Sequence, residues 1–271
     1  TTSLSKSSSS SPNGSHNQKN HPSSPTPTTT SVGTRTMSAG WPRSSSLKSS
    51  AEPIPANKLR QSAISFQSKR LELEGIISFP DDISGDVPAV AVCHSHPMLG
   101  GNFSDPVVVE ICQAASDLGL ATLRFNFRGV GDSQGEFTNG KEEHHDAKTA
   151  LDVLRRWPGV DGKHLAIVGY SLGAAVVLDS FKLFKHAGAL AFVAPTVKSV
   201  KNRKFKNDKR PRLIIAGGND RVASSVEIQR ELDEARQPVR FTEVSGADHS
   251  MRGHETKIAH VVAEFISESL N

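Results

Sequence analysis

Beyond residue 57 the chain alternates short apolar runs with longer stretches in which apolar positions recur at helical spacing. "SAISFQ" (62–67) and "LELEGIISFP" (71–80) read as two strands joined by a short polar turn, a β-hairpin. "AVAVCHS" (89–95), "LATLRFNF" (120–127), "HLAIVGY" (164–170), "ALAFVAP" (189–195), "RLIIAGGND" (212–220) and "VRFTEVSG" (239–246) have the length and apolar content of strands. Between them, 105–119, 142–157, 172–184 and 224–235 read as helices, and a last helix is expected over about 253–270. Asp105 is suited to cap the first of these, with Pro106 at its first position and Gly119 beyond its end. Strands that are apolar throughout, separated by helices, predict an α/β domain with a mostly parallel, doubly wound sheet. The opening hairpin would add an antiparallel edge.

Residues 1–56 break this pattern. The stretch is rich in Ser, Thr and Pro and has few large apolar residues. Such a composition cannot bury enough surface to offset its ordering entropy, so a disordered tail is expected, followed by one domain over 57–271. The tail changes the reading of charge. Up to Ala51 it contains five basic and no acidic residues. Setting those five aside from the 32 basic and 28 acidic residues of the chain leaves 27 against 28. The basic isoelectric point of 9.1 therefore belongs to the tail, and the domain has no overall pull toward nucleic acid. A Ser-rich, acid-free, weakly basic tail also resembles a transit peptide, or sequence upstream of a start at Met37. The location expected is cytoplasmic, or an organelle (plastid or mitochondrion) if the tail targets one. No apolar run is long enough to span a bilayer. Two cysteines, Cys93 and Cys112, make no disulfide framework and favour a reducing compartment.

Candidate chemistry collects at strand ends. In an open parallel sheet, reactive side chains lie in the loops at the carboxyl ends of strands. Ser171 follows the strand 164–170 within Gly169-Tyr170-Ser171-Leu172-Gly173; Asp220 follows the strand begun at 212, and His249 follows 239–246. A serine hydroxyl needs a neighbouring imidazole to take its proton, a task for His249. Asp220 would fix the tautomer of that imidazole and stabilise the imidazolium. The flanking glycines would allow a strained strand-to-helix turn, and the Leu172 N–H at the helix start would donate to an oxyanion.

The order Ser, Asp, His resembles the α/β-hydrolase superfamily, and two further stretches narrow the likeness. "HSHPMLGGN" (94–102) resembles the H-P-H-P-x-x-G-G segment of small dienelactone-hydrolase-like serine hydrolases, and "LRFNFRGVGDSQGEF" (123–137) is similar to the same group. The resemblance spans about residues 60–270. It implies an α/β-hydrolase fold with a second oxyanion N–H from the loop after the third strand, placed at Met98, with Gly100 or Gly101 as alternatives. Ser95 stands where the group usually has proline, which would loosen this loop. Dienelactone hydrolase itself uses a cysteine nucleophile, so its own substrate is not favoured here. Arg128, Gly129, Gly131 and Asp132 are expected to shape a tight loop rather than to act in catalysis.

Other chemistries are poorly supported. His94 and His96 are expected to order their loop, and His144, His145 and Asp146 fall at a helix start, without the spacing of a metal motif. No phosphate-binding loop is present, so neither metal nor nucleotide cofactor is expected. The basic run 197–212 replaces the cap found in larger relatives and is too short for a lid of several helices. It reads as a solvated loop, or alternatively as an attractor of anionic substrates. The resulting expectation is a serine hydrolase with little or no lid, acting on a small-molecule ester, thioester or amide through an acyl-enzyme. The alternative is a non-catalytic hydrolase-like binding or scaffold protein.

Overall fold

The computed structural model describes residues 60–81 and 84–271. The expected disordered tail, its targeting alternative and the domain boundary at 57 lie outside the described residues.

Eight strands form one sheet: β1 (Arg60–Ser68), β2 (Leu71–Phe79), β3 (Val87–Cys93), β4 (Ala121–Phe125), β5 (Val160–Tyr170), β6 (Ala189–Val193), β7 (Arg212–Gly217) and β8 (Val239–Val244). Their spatial order is β1-β2-β4-β3-β5-β6-β7-β8. The hairpin β1–β2 is antiparallel, β2 pairs antiparallel with β4, and all remaining pairs are parallel. The doubly wound α/β sheet with an antiparallel N-terminal hairpin is therefore present as expected.

Side chains alternate between two apolar layers, which is why the central strands carry no polar face. On one side Phe125, Ile167, Phe192 and Ile214 pack with α2 (Glu143–Arg155), α3 (Leu172–Asp179) and α6 (Ser225–Asp233). On the other, Val90, Val92, Val168 and Ile215 pack with α1 (Pro106–Asp117) and α7 (Glu255–Leu270). Truncating one of the fully buried aromatics, such as Phe192, to alanine costs about 3–5 kcal/mol. The Asp105 carboxylate accepts the Val107 N–H at the start of α1, and Gly119 adopts φ +84° beyond its end. The helix expected over 172–184 stops at Asp179 and continues as a tighter turn over Phe181–Phe184.

The basic run departs most from expectation. It contains two short helices, α4 (Val197–Val200) and α5 (Arg203–Lys206), with Val200 and Phe205 fully buried. Lys206 bonds Glu231 at 2.7 Å and Glu234 at 3.0 Å. Arg212 is fully buried, its guanidinium stacked 5.2 Å from the Phe205 ring centroid and donating to the Phe205, Arg210, Arg236 and Pro238 carbonyls. Much of the run is thus packed structure rather than solvated loop.

The chain leaves β3 toward β4 on one side and returns past it to β5 on the other. This switch point opens a crevice beyond the carboxyl ends of β3 and β5, where the loops after both strands meet.

Candidate active site

Ser171 occupies the turn between β5 and α3 with φ +51° and ψ −103°, a region that non-glycine residues seldom adopt. The tight turn explains its two glycine neighbours. A Cβ on Gly169 would lie 2.5 Å from the Ala174 nitrogen. A Cβ on Gly173 would lie 2.5 Å from the Cys93 carbonyl oxygen at the end of β3. The Ser171 N–H donates to the Val193 carbonyl at 2.8 Å, fixing the turn to β6.

His249 Nε2 lies 2.9 Å from Ser171 Oγ, and its Nδ1 lies 2.7 Å from Asp220 Oδ2. A neutral imidazole protonated at Nδ1 satisfies both contacts: it donates to the carboxylate and accepts the serine hydroxyl proton. The second carboxylate oxygen of Asp220 accepts the N–H groups of Val222 (2.7 Å) and Ala223 (2.8 Å). With its side chain fully enclosed, Asp220 is thereby held as a hydrogen-bonded acceptor. The loops after β7 and β8 are tied together by Asn219 N–H donating to the Ala247 carbonyl at 2.9 Å.

The loop after β3 differs from expectation. Met98 is 79% exposed, and its N–H donates to His96 Nδ1 at 3.2 Å. The Gly100 and Gly101 N–H groups donate to the Pro97 and His96 carbonyls. The three donors expected of this loop are therefore engaged within their own turn. The backbone N–H of His96, which borders the crevice, has no partner among the described residues, nor has that of Leu172, the residue after Ser171. His96 is thus a donor candidate that sequence reasoning did not name. Its signal was available: a residue before proline favours extended backbone, and His96 has φ −69° and ψ 122°. Ser95 does not loosen this loop, because its hydroxyl donates to Asp105 Oδ2 at 2.9 Å and moors it to the cap of α1.

The remaining candidates are structural in their contacts. His94 is fully buried; its Nδ1 lies 2.7 Å from the Ser95 carbonyl and its Nε2 accepts the Phe127 N–H at 3.1 Å. Burial lowers its pKa to about 4. Asp146, buried in α2, accepts from Ser68 Oγ (2.6 Å) and from the Arg128 backbone, Nε and Nη2 nitrogens (3.1, 2.9 and 2.8 Å). Arg128 thus orders the loop after β4, and Gly129 and Gly131 there take φ +70° and +57°. The Asp132 N–H donates to Glu74 Oε1 at 2.7 Å. His144 and His145 stack on each other, and among the described residues no three His, Cys, Asp or Glu side chains are grouped to hold a metal ion. Burial pushes the Cys93 thiol well above its ordinary range and Cys112 to about 11, so neither supplies a thiolate.

Ser171, Asp220 and His249 line a crevice of about 1360 Å³, with Leu99 and Val222 at its rim. Comparison with known proteins places this geometry in a wider setting. The Dienelactone hydrolase family matches residues 132–264. An alpha-beta serine hydrolase homologue from Coxiella burnetii is 30% identical, with 75% of this chain and 96% of that one covered at a TM-score of 0.64. The chain belongs to the α/β-hydrolase superfamily. A Xanthomonas campestris member described as an α/β serine hydrolase without lid shares the fold of this hydrolase at a TM-score of 0.67 and 23% identity, over 78% of this chain and 95% of that one. An uncharacterized protein of Rickettsia prowazekii is 27% identical to it over 191 residues, covering 68% of this chain and 80% of the relative. No described helix of the hydrolase is long and apolar enough to cross a membrane. The basic run does not border the crevice, whose lining cations are Arg221 and Arg252.

Proposed function

We propose that this hydrolase cleaves small carboxylic esters through an acyl-enzyme, with Ser171 as nucleophile, His249 as base and then acid, and Asp220 as its partner. The observation that carries this reading is the unbroken hydrogen-bond chain of 2.9 and 2.7 Å from Ser171 Oγ through His249 to Asp220.

Ser171 Oγ attacks the ester carbonyl as its proton passes to His249 Nε2. Asp220 stabilises the imidazolium. The tetrahedral oxyanion takes the N–H groups of Leu172 and His96, the second in place of Met98. Collapse expels the alkoxide, which receives the proton from Nε2, and leaves the acyl group on Ser171. Water then gives a proton to His249 and attacks the acyl carbonyl, releasing the acid and restoring the serine. Esters are favoured over amides because their alkoxide leaves more readily, and over peptides because between β6 and β7 there are only the four-residue helices α4 and α5 to select a longer chain. Leu99 and Val222 offer apolar rims to an acyl or alcohol group.

Labelling by a fluorophosphonate tests the reading. Wild-type protein should take up the probe and hydrolyse short activated esters, and Ser171→Ala should do neither. Folded wild-type protein that neither labels nor turns over such esters would overturn it and favour the non-catalytic binding role.

A further inference from the structure

Tyr170 is the only tyrosine in the chain, and it immediately precedes Ser171. Alternation along β5 turns its ring into the layer shared with α1 and α7, the apolar cluster that includes Val107 and Met251, and the residue also lines the crevice. Its hydroxyl donates to the main-chain carbonyl of Ser250 at 2.8 Å, across 80 residues of sequence. Ser250 is the residue after His249. Apart from its ties to the loop after β7 through Asn219 and Asp220, the loop that carries His249 closes on itself: Asp248 Oδ1 accepts the Ser250 N–H at 2.8 Å and the Ser250 hydroxyl at 2.6 Å, and the Met251 N–H donates to the Asp248 carbonyl at 3.2 Å. Met251 holds φ +57° while fully buried, so the loop turns inward there. The tyrosine hydroxyl therefore ties the strand end that bears the nucleophile directly to the main chain beside the imidazole.

We infer that Tyr170 is a positioning residue, whose hydroxyl sets the distance between His249 and Ser171 by holding the Ser250 carbonyl. The inference rests on the roles proposed above for those two residues. A phenylalanine would fill the same apolar layer, so core packing alone does not require the hydroxyl. A displacement of about 1 Å between reacting groups costs up to ~100-fold in rate, which gives this tether catalytic weight.

The test is Tyr170→Phe in the full chain, with active sites counted by fluorophosphonate so that misfolded protein drops out. Turnover per titrated site should fall by roughly 10-fold or more with KM little changed, and the labelling rate should fall by a similar factor. Turnover per site equal to wild type, with only a lower melting temperature, would assign the hydroxyl to packing and overturn the inference. A wild type that takes no label overturns the proposed function and this inference together. A second measurement leaves the side chain in place. Growth on 3-fluorotyrosine marks this position alone, giving a single ¹⁹F resonance. That resonance should move with pH in step with the acid limb of kcat/KM, and that step should vanish in His249→Ala. Asp105, Asp248, Arg252 and Glu255 also face the ring electrostatically, so only the component lost in His249→Ala counts. A resonance with no such component overturns the inference.

Discussion

His94 should make this hydrolase acid-labile by a calculable amount. The imidazole is fully buried, and its Nε2 is committed to accepting the Phe127 N–H. A proton there would set two N–H groups against each other in an apolar site, and burial accordingly lowers the pKa from 6.5 to about 4. The unfolded chain takes up a proton at this residue below about pH 6.5 that the folded chain refuses until about pH 4. Because the unfolded state binds more protons in that window, stability falls as pH falls, by at most about 1.4 kcal/mol per pH unit. Across the window the loss attributable to His94 is about 3 kcal/mol, fully present at pH 4 and absent at pH 7. The comparison is His94→Gln, which keeps a neutral hydrogen-bonding side chain and cannot titrate. Urea unfolding of both proteins, followed by tryptophan fluorescence between pH 7 and pH 4, yields the two stabilities. The variant should be the less stable at pH 7, with an ill-fitted partner for Phe127, and the gap should narrow or reverse by about 3 kcal/mol on acidification. Other titrating groups are common to both proteins and cancel. Parallel curves would refute the reasoning and mean that the folded protein protonates His94 as readily as the unfolded chain.

Two further outcomes are expected. His96→Pro removes the backbone donor while keeping φ near −69°, which proline accepts, so kcat should fall by ~100- to 1000-fold; His96→Ala, which retains the N–H, should lose far less. Comparable kcat values for the two variants would return the oxyanion assignment to another donor. Asp146→Ala strips the buried Arg128 guanidinium of its carboxylate and should destabilise the fold by about 3–5 kcal/mol in urea unfolding; a loss under about 1 kcal/mol would show the network to be solvated.

The parts of this molecule that were legible in sequence are those governed by residue type and period. Apolar runs such as Ala89–Cys93, too short for a typical helix, fit strands covered on both faces, and the hairpin announces itself through alternation and a polar turn. Ser171, Asp220 and His249 were legible because each follows a strand, and the sheet brings those three strand ends to one side. Backbone donors were not legible. Whether the Met98 N–H is free depends on how Pro97 starts its turn and on the rotamer of His96, and neither is written in the side-chain chemistry of Met98. Charge was misleading for a related reason. Arg212 looked like one more cation in a basic loop, but its partners are carbonyls of residues 205, 210, 236 and 238, which only the finished fold assembles. Tyr170 was legible as an aromatic at a strand end, while its tie to Ser250 was hidden behind 80 residues of intervening chain.

The backbone angle of Ser171 also has a historical dimension. At φ +51° and ψ −103° a side chain is a liability, and glycine would relax the turn. A lineage that kept this fold only as a scaffold could drift to glycine here and gain stability, because nothing in a scaffold would oppose the change. Strain of this kind decays once it is no longer used. The serine held at that angle lies 2.9 Å from His249, so the strained turn and the hydrogen bond to the imidazole meet at one residue.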